Sequence, residues 1–128
     1  MGFVVEKSNS AKILDLVFEN KIEAVIGERV LKEVKRYFRE KRGRNFSYII
    51  ELLLRRNCTI INGHEVKETM LKLRGQIKEK DLEQLSIVKK LNLRYLIGYD
   101  RDHEKFTEYF TPKRFLEKLN QKTFETEY

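Results

Sequence analysis

Residues Leu93 to Phe106 read Leu-Arg-Tyr-Leu-Ile-Gly-Tyr-Asp-Arg-Asp-His-Glu-Lys-Phe, an apolar run that halts at a glycine and turns into acid. In an open α/β sheet, ligands sit in the crevice at the carboxyl ends of the strands. A strand over Tyr95-Leu96-Ile97 sets Asp100 and Asp102 at such an end. Carboxylate oxygens there suit a hard divalent cation, and such a cation suits a phosphodiester. A polar loop after a buried strand explains the same residues without chemistry, and the residues alone leave both readings open.

Two further acids belong to the same question. Asp81 opens a helical pattern, and Asp81-Leu-Glu-Gln84 fits a capping box, which by itself accounts for Asp81. Glu33 sits at the margin of an apolar stripe, between Val30 and Tyr37 and close to Arg29 and Arg36. A solvated ion pair worth a few tenths of a kcal/mol is its structural explanation. Each acid alone is explained by structure; their joint placement, at one helix start, early in another helix and after a strand, is the pattern that points to chemistry.

The elements that would carry these acids alternate. Ile13, Leu14, Val17 and Phe18 recur at helical spacing after Ser10, and Glu23 to Ile26 is a short strand closed by Gly27. Val30, Leu31, Val34 and Phe38 mark a second helix; Phe46, Ile49, Ile50 and Leu53 mark a third, with Asn45 as its cap. Thr59-Ile60-Ile61 is a strand ending at Asn62-Gly63. Val66, Met70 and Leu73 mark a fourth helix stopped by Gly75, and Leu82, Leu85, Val88 and Leu91 a fifth. After the strand before Asp100, Phe106 to Phe110 reads as a last strand. Thr111 caps a final helix with Pro112 at its first position and Phe115, Leu116 and Leu119 facing inward. Short apolar strands between helices predict a parallel sheet covered on both faces.

The chain has 128 residues, a single-domain length, and 37% of them are charged, a balance that leans towards the ion-pair-rich surface of a thermophile. Lys and Arg number 27 against 20 Asp and Glu, and the resulting +7 favours a polyanionic partner. The lone Cys58 excludes an internal disulfide and fits a reducing compartment. No apolar run is long enough for a bilayer and no signal-peptide pattern opens the sequence, so the expectation is a cytoplasmic protein without membrane contact.

From about Ser10 to Leu119 this order of motifs resembles the PIN domain family of metal-dependent nucleases. The best match runs from Asp81-Leu-Glu-Gln through Tyr95-Leu-Ile-Gly-Tyr-Asp100-Arg-Asp102 to Thr111-Pro-Lys-Arg-Phe-Leu, and a second is Ala24-Val-Ile-Gly-Glu-Arg-Val-Leu-Lys-Glu33-Val. The resemblance implies a three-layer α/β/α sandwich with a mainly parallel sheet, over residues 1–120, followed by a short tail at 121–128. It implies metal-site carboxylates Glu33, Asp81 and Asp100, with Asp102 in support, and Mg²⁺ or Mn²⁺ as cofactor. It implies hydrolysis of RNA phosphodiesters, as in toxin-type nucleases, with an antitoxin protein and a homodimer as partners it allows.

Two departures accompany it. The family's first strand ends in an Asp-Thr-Asn-like motif whose Asp is a principal ligand, and this sequence has no match to it. That strand is expected upstream of Met1 or, in degenerate form, at Phe3-Val4-Val5 with Glu6 in the Asp position. Gly98 stands where the family often has Thr or Ser. The missing ligand makes a second function available: a catalytically impaired PIN-like domain that binds RNA or a protein.

The tract Lys35-Arg-Tyr-Phe-Arg-Glu-Lys-Arg-Gly-Arg44, with Arg55-Arg56, is basic and carries aromatics. Arg42, Arg44, Arg55 and Arg56 are the candidates for phosphate contacts, against the plainer reading of cations at helix C-termini. His64-Glu-Val-Lys-Glu68 lacks the second His of a zinc-protease helix, and nothing spaced around Cys58 supports a nucleophile. His103 reads as a loop residue beside Asp102, and Tyr37 and Phe38 as core.

Overall fold

The computed structural model describes residues 8–100 and 103–128, and within them the chain is a mixed α/β protein with short parallel strands. The expected strand at Phe3-Val4-Val5, Glu6 and Asp102 lie outside the described residues. Ten elements follow in order: α1 (Asn9–Phe18), β1 (Ala24–Gly27), α2 (Glu28–Arg42), α3 (Arg44–Asn57), β2 (Cys58–Ile61), α4 (Lys67–Leu73), α5 (Glu79–Leu91), β3 (Leu96–Ile97), β4 (Tyr109–Phe110) and α6 (Pro112–Lys118). A single 3₁₀ turn over Gly63–Val66 leads into α4.

Local chemistry sets the boundaries. Ser8 is extended, and its hydroxyl accepts the Ala11 N–H at 3.1 Å to start α1. Thr111 does the same for Arg114, with Pro112 at the first helical position where a missing N–H costs nothing. Between α2 and α3 one residue, Gly43, turns the chain at φ +89°, a value that L side chains rarely adopt. The two helices therefore fold back as an antiparallel hairpin. Ser47, small and buried, lets them close up and donates its hydroxyl to the Lys35 carbonyl at 2.7 Å. Phe38 and Phe46 pack beneath, 5.6 Å apart.

Two assignments are corrected. Asp81 is not the N-cap of α5: the helix begins at Glu79 after Lys78, and the Asp81 N–H already bonds the Lys78 carbonyl at 2.9 Å. Likewise Asn45 lies inside α3, and Gly43 holds the cap position with no side-chain bond. Cap propensity marks a boundary to within a residue or two, and the tertiary use of the side chain decides the rest.

The strands form two separate parallel pairs rather than one described sheet. β1 pairs with β2 from Ala24↔Cys58 to Gly27↔Ile61, and β3 with β4 from Leu96↔Tyr109 to Ile97↔Phe110. Each pair has its own apolar cluster. Ala11, Val17, Phe18, Leu31, Phe38, Ile50 and Leu54 pack around β1 and β2. Ile77, Leu82, Leu85, Val88, Leu96 and Tyr109 pack around β3 and β4. Helix α5 touches both β1 and β3, and Leu82, Leu85 and Ile87 are fully buried along it.

Gln84 gives α5 a second task. Its amide donates to the Val25 carbonyl at 2.8 Å and accepts the Gly27 N–H at 3.1 Å. One side-chain amide thereby takes the place of a neighbouring peptide group along the edge of β1 that faces away from β2, where unpaired backbone groups would otherwise be costly.

Beyond α6 the chain returns to the start. The Asn9 side chain, 2% exposed, donates to the Phe124 carbonyl at 3.3 Å and accepts the Phe124 N–H at 2.8 Å, while Lys113 N–H bonds the Tyr128 carbonyl. Among the described residues, no helix is long and apolar enough to cross a membrane.

Candidate functional site

Asp81 and Asp100 come together around one imidazole. The first turn of α5 carries Asp81. The chain leaving β3 carries Asp100 three residues past Ile97, at the carboxyl end of that strand. The backbone N–H of His103 bonds the Asp100 carbonyl at 3.1 Å, which holds His103 near the end of the strand. The His103 Nε2 then lies 2.9 Å from Asp81 Oδ2 and 3.8 Å from Asp100 Oδ2. His103 is 3% exposed, so its imidazole is shielded from bulk water, whereas the Asp81 side chain is partly exposed. Lys78, just before α5, ion-pairs with Asp100.

Tyr109 supports the cluster from the neighbouring strand. Its ring meets His103 edge-on at 5.4 Å, and its hydroxyl accepts the Asp100 N–H at 2.5 Å. Burial pushes the phenol up to about 12, and the nearby charges of Asp81 and Asp100 act in the same direction. Tyr109 is therefore a neutral group at physiological pH, and fixes the backbone of Asp100 without adding charge.

The other predicted acids are placed differently. Glu33 is on α2, half exposed, and pairs with Arg29 one turn earlier at 3.6 Å. Among the described residues no hydrogen bond or ion pair joins it to Asp81 or Asp100. Of the predicted arginines, Arg44 lines a cleft between α2 and α3, and Arg42 lies over the Phe46 ring. Arg55 bonds Glu51 at 3.0 Å, and Arg56 is exposed at the end of α3. The Glu51 carboxyl is held below the usual carboxylate range, first by its hydrogen bond from Lys35 and then by Arg55. Cys58 is partly buried, which pushes its thiol up to about 11 and disfavours the thiolate.

Sequence reasoning missed two residues. His103 was read as a loop residue, yet it is the hub between both aspartates; its placement depends on a contact 22 positions away in the chain. Glu83 accepts the Arg29 N–H at 3.1 Å, its carboxylate resting over Gly27 at the start of α2. A signal for it exists: α2 opens after a glycine with no capping side chain, so its first N–H groups need a partner from elsewhere. Glu83 also borders a cleft of about 430 Å³ at the carboxyl ends of β1 and β2, with Arg29, Lys32 and His64 on its walls.

The donor set of the acid cluster suits a hard cation in kind. Mg²⁺ commonly takes one or two carboxylates and fills its remaining positions with water and substrate oxygen. Lys78 places a positive charge against Asp100. Among the described residues, no trio of His, Cys, Asp or Glu side chains is arranged to hold an ion, so the two aspartates are the pair on offer. Comparison with known proteins finds no matching family model, no matching curated protein and no matching solved structure.

Proposed function

We propose that this chain is a PIN-like α/β/α domain that hydrolyses RNA phosphodiester bonds with Mg²⁺ or Mn²⁺. The observation that carries the reading is the meeting of Asp81 and Asp100, 19 positions apart in sequence, at a single His103 nitrogen beyond the end of β3. Asp81 and Asp100 would hold the cation. When bound, it supplies an acidified water and offsets the charge of the phosphate. His103 orients the Asp81 carboxylate, and Tyr109 fixes the peptide of Asp100. Lys78, about half exposed, ion-pairs with Asp100 at the edge of the cluster.

The test is cleavage of end-labelled single-stranded RNA with Mn²⁺ or Mg²⁺ by the wild type and by Asp100→Asn. The substitution keeps the shape and removes one ligand charge. A fall of roughly a hundredfold or more is expected, since a metal contributes several kcal/mol at the transition state. Equal cleavage by both forms would overturn the assignment of Asp100.

One observation favours a second reading, a PIN-like module that binds RNA without cutting it. The polar groups of the cluster are already partnered from within, Asp100 by the Lys78 ammonium and Asp81 by a hydrogen bond with His103. On that reading neither metal produces cleavage, while RNA binding persists in EDTA.

A further inference from the structure

We propose that the cleft between α2 and α3 is a track for single-stranded RNA, with phosphates on Lys32, Arg36, Arg39 and Arg44 and a base stacked on Tyr48. The inference rests on the reading that RNA is the partner. It assigns the contact to a surface distinct from the acid cluster, and to residues other than most of those expected from sequence.

The cleft has a volume of about 560 Å³ and is walled by the two helices of the Gly43 hairpin. Positions 32, 35, 36 and 39 fall on one face of α2 by helical spacing, and positions 44, 47, 48 and 51 on one face of α3. Its walls hold five cations and a single carboxylate, Glu51, which is already committed to Lys35 at 3.1 Å and to Arg55 at 3.0 Å. Lys32, Arg36, Arg39 and Arg44 are all exposed, and among the described residues none of them has an ion-pair partner. A surface so rich in ion pairs elsewhere leaves these four positive charges converging on one concave strip. Their mutual repulsion is relieved by a polyanion lying along it.

Three details select single-stranded nucleic acid. Three of the four unpaired cations are arginines, whose planar forks match phosphate oxygens in pairs. Tyr48 is 61% exposed at the rim and offers a flat ring beside the charges, the combination used for unpaired bases. From Lys32 to Arg39 the face advances about 10 Å at the α-helical rise, room for successive phosphates of one strand. The track also has a direction. Lys32 lines this cleft and the cleft at the strand ends. Arg29 in the second cleft reaches the Glu79 carbonyl at 3.3 Å, at the start of the helix that carries Asp81. A strand laid from Arg44 towards Lys32 runs on into the cleft at the strand ends.

The experiment is fluorescence anisotropy of a labelled oligouridylate with the full chain in EDTA, titrated over a range of salt. The double variant Arg36→Gln/Arg39→Gln should lower the slope of log K against log salt by roughly 1.4, about 0.7 for each lost contact. Tyr48→Ala should weaken binding roughly tenfold with little change of slope. Lys118→Gln on α6 should match the wild type. All these positions are exposed, and circular dichroism checks that each variant is folded. Failure of the wild type to bind at low salt, or an unchanged slope in the double variant, overturns the proposal. So does capture by phosphatidylserine vesicles through these residues with no affinity for the oligonucleotide. The outcome is separable from the nuclease reading. Groove-dependent binding without cleavage leaves the track and removes the enzyme; cleavage lost in Asp100→Asn with binding indifferent to Arg36 and Arg39 leaves the enzyme and removes the track.

Discussion

The ring of Tyr109 covers Gly98 so closely that a Cβ at position 98 would stand 2.6 Å from the phenol oxygen and 2.9 Å from the ring. Tyr109 is 4% exposed and its hydroxyl is tied to the Asp100 N–H, so it has nowhere to retreat. This gives a physical reason for glycine at position 98.

Gly98→Ala is accordingly expected to cost about 1–3 kcal/mol through overpacking, and Gly98→Thr more. Urea unfolding followed by circular dichroism measures it. If Gly98→Ala unfolds at the wild-type midpoint, the ring does not hold the position described.

Gln84→Ala leaves the Val25 carbonyl and Gly27 N–H at the β1 edge without their partner. A loss of about 1–3 kcal/mol is expected, with faster amide exchange at Gly27 than at other β1 positions. Amide hydrogen exchange by NMR checks the local effect separately from the global one. Uniform acceleration along β1 would show that Gln84 does not act as the edge cap.

Tyr109 supplies an alkaline signature. Its phenol is raised to about 12, so the folded state favours the neutral form. The stability this contributes is complete below the unfolded tyrosine pKa, near 10, and is lost as pH rises through the folded value. One of the six tyrosines should therefore ionise late in a spectrophotometric titration, and Tyr109→Phe should abolish that late phase. A titration in which Tyr109→Phe leaves the late phase intact assigns it to another ring.

An acid-side counterpart lies at Lys89 and Glu108, 2.6 Å apart. The hydrogen bond from Lys89 holds the Glu108 carboxyl below its ordinary range. A depressed carboxyl contributes stability above its unfolded pKa, and this is lost as pH falls through the folded value. Lys89→Met should cost under about 1 kcal/mol near neutral pH, because both groups are partly exposed, and nothing in strong acid. Thermal unfolding at the two pH values tests the difference.

The apolar periodicity of this sequence determined the order of its helices and the place of its main strands. Leu82, Leu85 and Val88 at helical spacing, Thr59-Ile60-Ile61 between turn residues, and Thr111-Pro112 at a helix start each encode their element within a few neighbouring residues. The charge excess and the acid after β3 were likewise written in local sequence. What only the tertiary structure decided was the partner of each polar side chain. Gln84 read as part of a capping box, but spends its amide on a strand 59 residues away. His103 looks like a loop residue in sequence, yet it meets Asp81, 22 positions earlier, on α5. Glu33 and Asp81 were equivalent as acids near helix starts, yet one faces Arg29 at the surface and the other a buried imidazole. The same holds for the basic tract: Arg55 is consumed by Glu51, while Arg36 and Arg39, one helix earlier, are left facing a cleft. Periodicity is a property of neighbours in sequence, whereas a hydrogen bond or an open charge depends on which distant element arrives opposite, and only the folded chain settles that.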